Sequence, residues 1–78
     1  MEPIFKKSLV EYISGSREIL TLIGDPSLIS IIYEAANTSR KLLLALQDGK
    51  IEEVSRALEQ KREAISRFER VTGQSWSL

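Results

Sequence analysis

Apolar side chains recur at intervals of three and four residues in three segments of this chain. That spacing places them along one face of an α-helix, so each segment is typical of a helix that buries one side. Two turn signals, Gly24-Asp25-Pro26 and Asp48-Gly49, separate the segments. Glycine can adopt the left-handed conformation that ends a helix, aspartate can cap the next helix, and proline fits a first turn. The pattern predicts an all-α chain without β signal, with helices at about residues 3–23, 26–47 and 50–72.

The length of 78 residues allows one domain with a modest core. Because short turns join consecutive helices in antiparallel order, we expect an up-down-up bundle of three helices within residues 1–73. Gly73 ends the third helix and leaves residues 74–78 as a short C-terminal tail. A bundle of this size is only marginally stable alone, so self-association or a partner is expected.

The first segment is interrupted at Ser14-Gly15-Ser16. A glycine inside a helix costs about 1 kcal/mol relative to alanine, so the chain either kinks there or breaks into two shorter helices. The apolar stripe nevertheless keeps its phase past Ser16, which favours one continuous helix. The stripe consists of Phe5, Leu9, Tyr12, Ile13, Leu20 and Ile23.

In the third segment the larger apolar residues define a seam along the predicted helix. Its members are Ile51, Val54, Leu58, Ile65 and Phe68, flanked by Ala57, Ala64 and Val71. We expect Leu58, in the middle of this seam, to be buried. Lys61 is the polar interruption of the seam. Either its ammonium extends past the core to water, or it pairs with a partner's carboxylate and helps to set the register.

The second segment is apolar on more than one side, which is typical of a helix between neighbours or inside an oligomer. Either the first helix covers these side chains, or some of them remain available to another chain. The tail residue Trp76 either folds back onto the bundle or binds a partner. The candidate partner-binding residues are therefore Ile31, Tyr33, Leu42, Leu44, Leu46, Lys61 and Trp76.

The chain contains neither Cys nor His, which excludes zinc fingers, disulfides, thiol nucleophiles and Ser-His dyads. Glu52 and Glu53 are the only adjacent acidic pair. Neighbours on a helix point about 100° apart, so this pair is poorly placed to share a proton or a metal ion. Helical di-metal sites usually combine glutamates with Glu-x-x-His motifs. We expect no enzymatic activity, no catalytic residue, no metal site and no cofactor.

Eleven Lys and Arg residues balance eleven Asp and Glu residues, so the net charge is zero. Such a chain has no general field to attract phosphate backbones or anionic lipids. No apolar run approaches the roughly 18 residues of a membrane span, and the N-terminal residues lack the order of a signal peptide. We expect a cytoplasmic protein with no nucleic-acid partner and no membrane insertion.

Residues 41–70 contain a leucine-rich helix end, a short turn with an aspartate, and a following helix in which apolar and charged residues alternate. The segments are Leu42-Leu43-x-x-Leu46, Asp48-Gly49, Ile51-Glu52-x-Val54 and Leu58-Glu59-x-Lys61-Arg62-x-x-Ile65. In this stretch the chain resembles the small helical chaperones of flagellar and related type III export, namely the filament-cap and hook-junction chaperone families. The resemblance implies a small, all-helical, non-enzymatic protein. It also implies that the protein holds a helical segment of an export substrate in a groove and releases it at the export gate.

These features favour a non-enzymatic helical protein-binding module, with a secretion chaperone as its most specific form. Its apolar groove would hold a helical segment of the cargo. The alternative is a structural homo-oligomerisation unit without separate cargo, whose apolar excess is covered by its own copies. We also expect a homodimer with the second helix near the interface, and a cargo helix could compete for that same surface.

Overall fold

The computed structural model of the chain describes residues 3–18, 20, 22 and 24–78, and only the backbone of residues 3–6. Its helices are α1 (Pro3–Ser14), α2 (Pro26–Asp48) and α3 (Ile51–Thr72). The described residues contain no β-strand, so the predicted all-α class with three helices is confirmed. The bounds of α2 and α3 lie within one residue of the predicted ones.

The first helix is shorter than predicted. It ends at Ser14, so the prediction of one helix over residues 3–23 is wrong for its second half. Gly15 has a φ of +89°, a left-handed conformation with which a right-handed helix cannot continue. The N–H of Gly15 donates to the carbonyl of Tyr12 and closes the last turn. Ile23, which the pattern also assigns to the apolar stripe, lies outside the described residues.

The start of α2 follows the predicted turn signal. Asp25 is the N-cap residue and Pro26 occupies the first turn. The carboxylate of Asp25 makes no capping hydrogen bond, and its backbone carbonyl accepts the N–H of Ile29 at 2.9 Å. Gly24 does not end a helix, because α1 has already ended at Ser14.

The turn between α2 and α3 is closed by its glycine. Gly49 has a φ of +68°, and its N–H donates to the carbonyl of Leu46 at 3.3 Å. The N–H of Lys50 donates to the carbonyl of Ala45 at 3.2 Å. These two bonds form a Schellman motif, which satisfies the last carbonyls of α2 and lets α3 begin at once. The tight turn brings the two helices side by side.

Helices α2 and α3 run antiparallel. Ala45 and Ala57 lie together near the turn, and at the far end the guanidinium of Arg67 donates to the carboxylate of Glu34 at 2.9 Å. By contrast, α1 lies close to α2 but not to α3: no Cα atom of α1 lies within 8 Å of one in α3 in the described part of the chain. The backbone of α1 therefore does not run alongside both α2 and α3 as that of a third bundle helix would.

Irregular chain covers the inner face of α2. Ile32, Ala35 and Ala36 are buried in one cluster with Leu20 from the α1–α2 connection and Trp76 from the tail. The small alanine side chains allow these irregular segments to approach the helix closely. The connection, which accepts a hydrogen bond from Tyr33 of α2, therefore takes the place that the prediction gave to the second half of a longer first helix. The tail adds the ring of Trp76 beside Phe68 of α3.

The buried face of α3 is centred on its alanines. Ala57, Ala64 and Phe68 are buried, whereas Leu58 is 39% exposed. The expectation that Leu58 lies buried in the middle of the seam is therefore wrong. Helix axes approach most closely where side chains are small, so the α2–α3 contact follows the alanines and leaves Leu58 beside it.

Alanine substitutions at Leu9 and Leu58 should distinguish the observed burial from the predicted seam. Leu9 is completely buried, so Leu9→Ala should lower the free energy of unfolding by about 2–5 kcal/mol. Leu58→Ala removes a partly exposed side chain and should cost only about 1 kcal/mol. Urea denaturation followed by circular dichroism measures both losses. Equal losses would show that Leu58 is as buried in solution as Leu9.

Candidate protein-binding site

One line of side chains on α2 extends from the core to the α2–α3 turn, and its members become more exposed to solvent toward the turn. The line follows helical steps of three and four through Ile32, Ala35, Ser39, Leu42 and Leu46. Its first three members are buried, Leu42 is half-buried, and Leu46 is 57% exposed. The line of buried side chains on α2 thus continues as solvent-exposed side chains beyond the part of the helix that other segments cover.

A matching line on α3 shows the same gradient. Ile65, Leu58 and Ile51 lie seven residues apart and therefore on one side of the helix. Ile65 packs against the core, Leu58 is 39% exposed, and Ile51 is 82% exposed. Exposure again rises toward the turn, so both helices present uncovered apolar side chains at the same end of the hairpin.

These two lines lie on the same side of the α2–α3 contact. Ala45 and Ala57 mark where the helices meet near the turn, and the helical phase places both lines on one side of that contact. We call this surface the open groove. It consists of Leu42, Leu46, Ile51, Val54 and Leu58.

Sequence reasoning identified Leu42 and Leu46 as partner-binding candidates but missed Ile51, Val54 and Leu58. All three missed residues were assigned to the apolar seam of the third helix. The spacing of seven residues through Ile51, Leu58 and Ile65 was the available signal, because it defines a side of α3 different from the side that carries Ala57.

The opposite side of the hairpin carries a cleft of about 490 Å³. Ala45 and Ala57 form its floor, and Leu44, which is 47% exposed, lies at its edge. We call this surface the charged cleft, because its remaining lining residues are Lys41, Asp48, Glu53, Arg56 and Gln60. The two sides of the hairpin thus differ in chemistry.

The five candidates on α2 do not share one surface. Ile31 and Tyr33 are half-buried against the core, and the Tyr33 hydroxyl donates to the backbone carbonyl of Leu20. Leu42 and Leu46 belong to the open groove, and Leu44 lies in the charged cleft. A partner on either side of the hairpin would therefore contact only part of the predicted set.

Lys61 connects α3 to the tail. Its side chain is half-buried, and its ammonium donates to the backbone carbonyl of Leu78 at 3.2 Å. Lys61 follows Leu58 by three residues and precedes Ile65 by four. It therefore lies on α3 between the part of the hairpin that the tail covers and the part that is open.

Trp76 folds back onto the helices. Its indole is buried and meets the ring of Phe68 edge to face, with centroids 5.0 Å apart and an interplanar angle of 76°. Its backbone N–H donates to the carboxylate of Glu69 at 3.0 Å. The indole Nε1 is buried without a hydrogen-bond partner among the described residues. The tail is thus an integral part of the core, and of the two alternatives for Trp76 the folded-back one is observed.

Two substitutions of Trp76 should separate its packing from its unpaired N–H. Trp76→Ala should lower the free energy of unfolding by about 3–5 kcal/mol, because it empties a core position. Trp76→Phe keeps an aromatic ring against Phe68 and removes a buried donor whose desolvation costs about 1–3 kcal/mol, so it should be much less damaging. Urea denaturation followed by circular dichroism gives both values. Equal damage from the two changes would contradict a packing role for the ring.

Within the described ranges, no group of three or more acidic side chains is placed to hold a metal ion. None of the helices in those ranges combines the length and the apolar character needed to cross a membrane. No protein-family model, curated protein or solved structure matches the chain.

Proposed function

We propose that this chain is a non-enzymatic, cytoplasmic protein-binding module that holds an amphipathic helix of a partner protein in its open groove. The exposed apolar side chains of Leu46, Ile51 and Leu58 carry this proposal. Soluble proteins usually reserve contiguous apolar surface for partners, and here this surface lies beside the contact between two helices.

The shape of the groove favours a helix as its occupant. Two antiparallel helices present a furrow that a third helix fills in a bundle, and α1 leaves this part of the furrow uncovered. The open part spans about one helical turn on α2, from Leu42 to Leu46, and about two turns on α3, from Ile51 to Leu58. A partner helix with apolar anchors at positions i, i+3 or i+4, and i+7 matches this length.

Lys61 would add a polar contact at the inner end of the open groove. Its ammonium carries three donors and gives one to the carbonyl of Leu78. A carboxylate on the partner helix could accept another and help to set its register. The proposed partner is therefore an apolar helix with an acidic residue at one end.

The resemblance of residues 41–70 to the filament-cap and hook-junction chaperones suggests the most specific form of this function. In that form the partner is an export substrate, and the groove shields its helical segment until export. The open groove is defined independently of this resemblance, by the exposure of Leu46, Ile51 and Leu58.

Site-specific photo-crosslinking in the native cell tests the proposal. p-Benzoylphenylalanine in place of Ile51 should form a discrete adduct with a partner, whereas the same group in place of the exposed Glu59 serves as the background control. Variants of the purified protein are then titrated with that partner. Leu46→Asp and Leu58→Asp should each weaken binding about tenfold or more, because a charge replaces an apolar contact.

Leu44→Asp is the matched control, since it introduces the same charge on the opposite side of the hairpin and should leave the affinity unchanged. An Ile51 adduct no stronger than the Glu59 background would refute the groove as a binding site. An adduct formed only with a second copy of this chain would favour the alternative function, a homo-oligomerisation unit without separate cargo.

A further inference from the structure

The charged cleft offers a second surface whose occupant can be inferred from its charges. On α2, Lys41 and Asp48 are seven residues apart and on the same side, with Leu44 and Ala45 at the midpoint between them. Neither Lys41 nor Asp48 has an ion-pair partner among the described residues. A cation and an anion thus flank an exposed leucine symmetrically.

This order of charges is complementary to itself. In a contact with two-fold symmetry, residue i of one copy meets residue j of the other, and j meets i. If two α2 helices cross antiparallel at Leu44 and Ala45, Lys41 of each copy lies opposite Asp48 of the other. One contact then forms two ion pairs, because the midpoint of the charges coincides with the apolar centre.

The other two-fold arrangement is unfavourable. It would place α2 of one copy against α3 of the other with both turns at the same end. Asp48 would then approach Glu53 of the second copy, and both are carboxylates. Like charges placed opposite each other across an interface disfavour that arrangement.

We propose that two copies of this chain associate cleft to cleft, with their α2 helices antiparallel and centred on Leu44 and Ala45. Each Leu44 side chain covers the alanine floor of the other copy's cleft, where Ala45 and Ala57 leave space. The zero net charge of the chain adds no long-range repulsion between copies.

The dimer leaves the open groove accessible, since the groove lies on the opposite side of the α2–α3 contact. Self-association and helix binding therefore do not compete, which differs from the sequence-based expectation of one shared surface. The proposal does not rest on the proposed function: Leu58→Asp should weaken helix binding about tenfold or more and leave the dimer intact.

Complementary charge variants test the arrangement directly. Lys41→Glu alone places two pairs of carboxylates across the interface, and Asp48→Lys alone places two pairs of ammonium groups there. Each variant should dimerise at least about tenfold more weakly than the wild type. An equimolar mixture should regain dimers, because each mixed dimer restores both ion pairs. Sedimentation equilibrium over a concentration series measures all three samples.

Gln47→Lys is the matched control: it adds a cation in the last turn of α2 outside the charged cleft and should leave the dimer unchanged. Circular dichroism verifies that each variant keeps its helices. A wild type that stays monomeric across the series would overturn the proposal, as would a dimer that tolerates Lys41→Glu and Asp48→Lys. Single variants that stay monomeric when mixed would overturn the antiparallel pairing.

Discussion

Close packing through alanine is the constraint on which the rest of this structure depends. Among the residues whose burial the structure describes, half of the buried apolar side chains are alanines, at positions 35, 36, 45, 57 and 64. Small side chains let α2 and α3 approach closely and let irregular chain lie directly on α2. Because alanines occupy the contact between α2 and α3, the larger apolar residues lie at its sides. Leu46, Ile51 and Leu58 remain on one side and Leu44 on the other, so the exposed apolar surface is a consequence of the packing itself.

The tail completes a core that the helices cannot complete alone. With α1 ending at Ser14, the core gains a large apolar ring from the tail, because Trp76 packs against Phe68 of α3. The fit is imperfect, because the indole N–H is buried without a partner among the described residues. The net stabilisation by the ring is therefore smaller than its buried area suggests. Lys61 offsets part of this cost by bonding the carbonyl of Leu78.

Turn chemistry made α2 and α3 predictable from the sequence. Pro26 fits only the start of a helix, and Gly49 supplies the left-handed residue that a Schellman motif needs. The two errors have physical causes. The prediction continued the first helix past Gly15 because the apolar pattern continues there, although glycine readily adopts a conformation that ends a helix. Leu20 fits the apolar pattern because it is buried, but it is not part of a helix. On α3 the larger residues set the predicted phase, whereas Ala57 and Ala64 set the real one. An analysis of hydrophobic periodicity gives alanine too little weight. An alanine stabilises the helix contact by letting the two helices approach closely, and the apolar area that it buries itself is small.

The sequence pattern did not predict that the candidate residues lie on two different surfaces, because it did not identify the alanines that position α3 against α2. Leu44 and Leu46 are two residues apart and therefore point about 160° away from each other on a helix. Only the position of α3 decides that one faces the charged cleft and the other the open groove. Once Ala45 and Ala57 fix that position, the hairpin has an apolar side suited to a helix and a charged side suited to its own copy. The two proposed contacts rest chiefly on exposed side chains, which are Leu46, Ile51 and Leu58 on one side of the hairpin and Leu44 on the other.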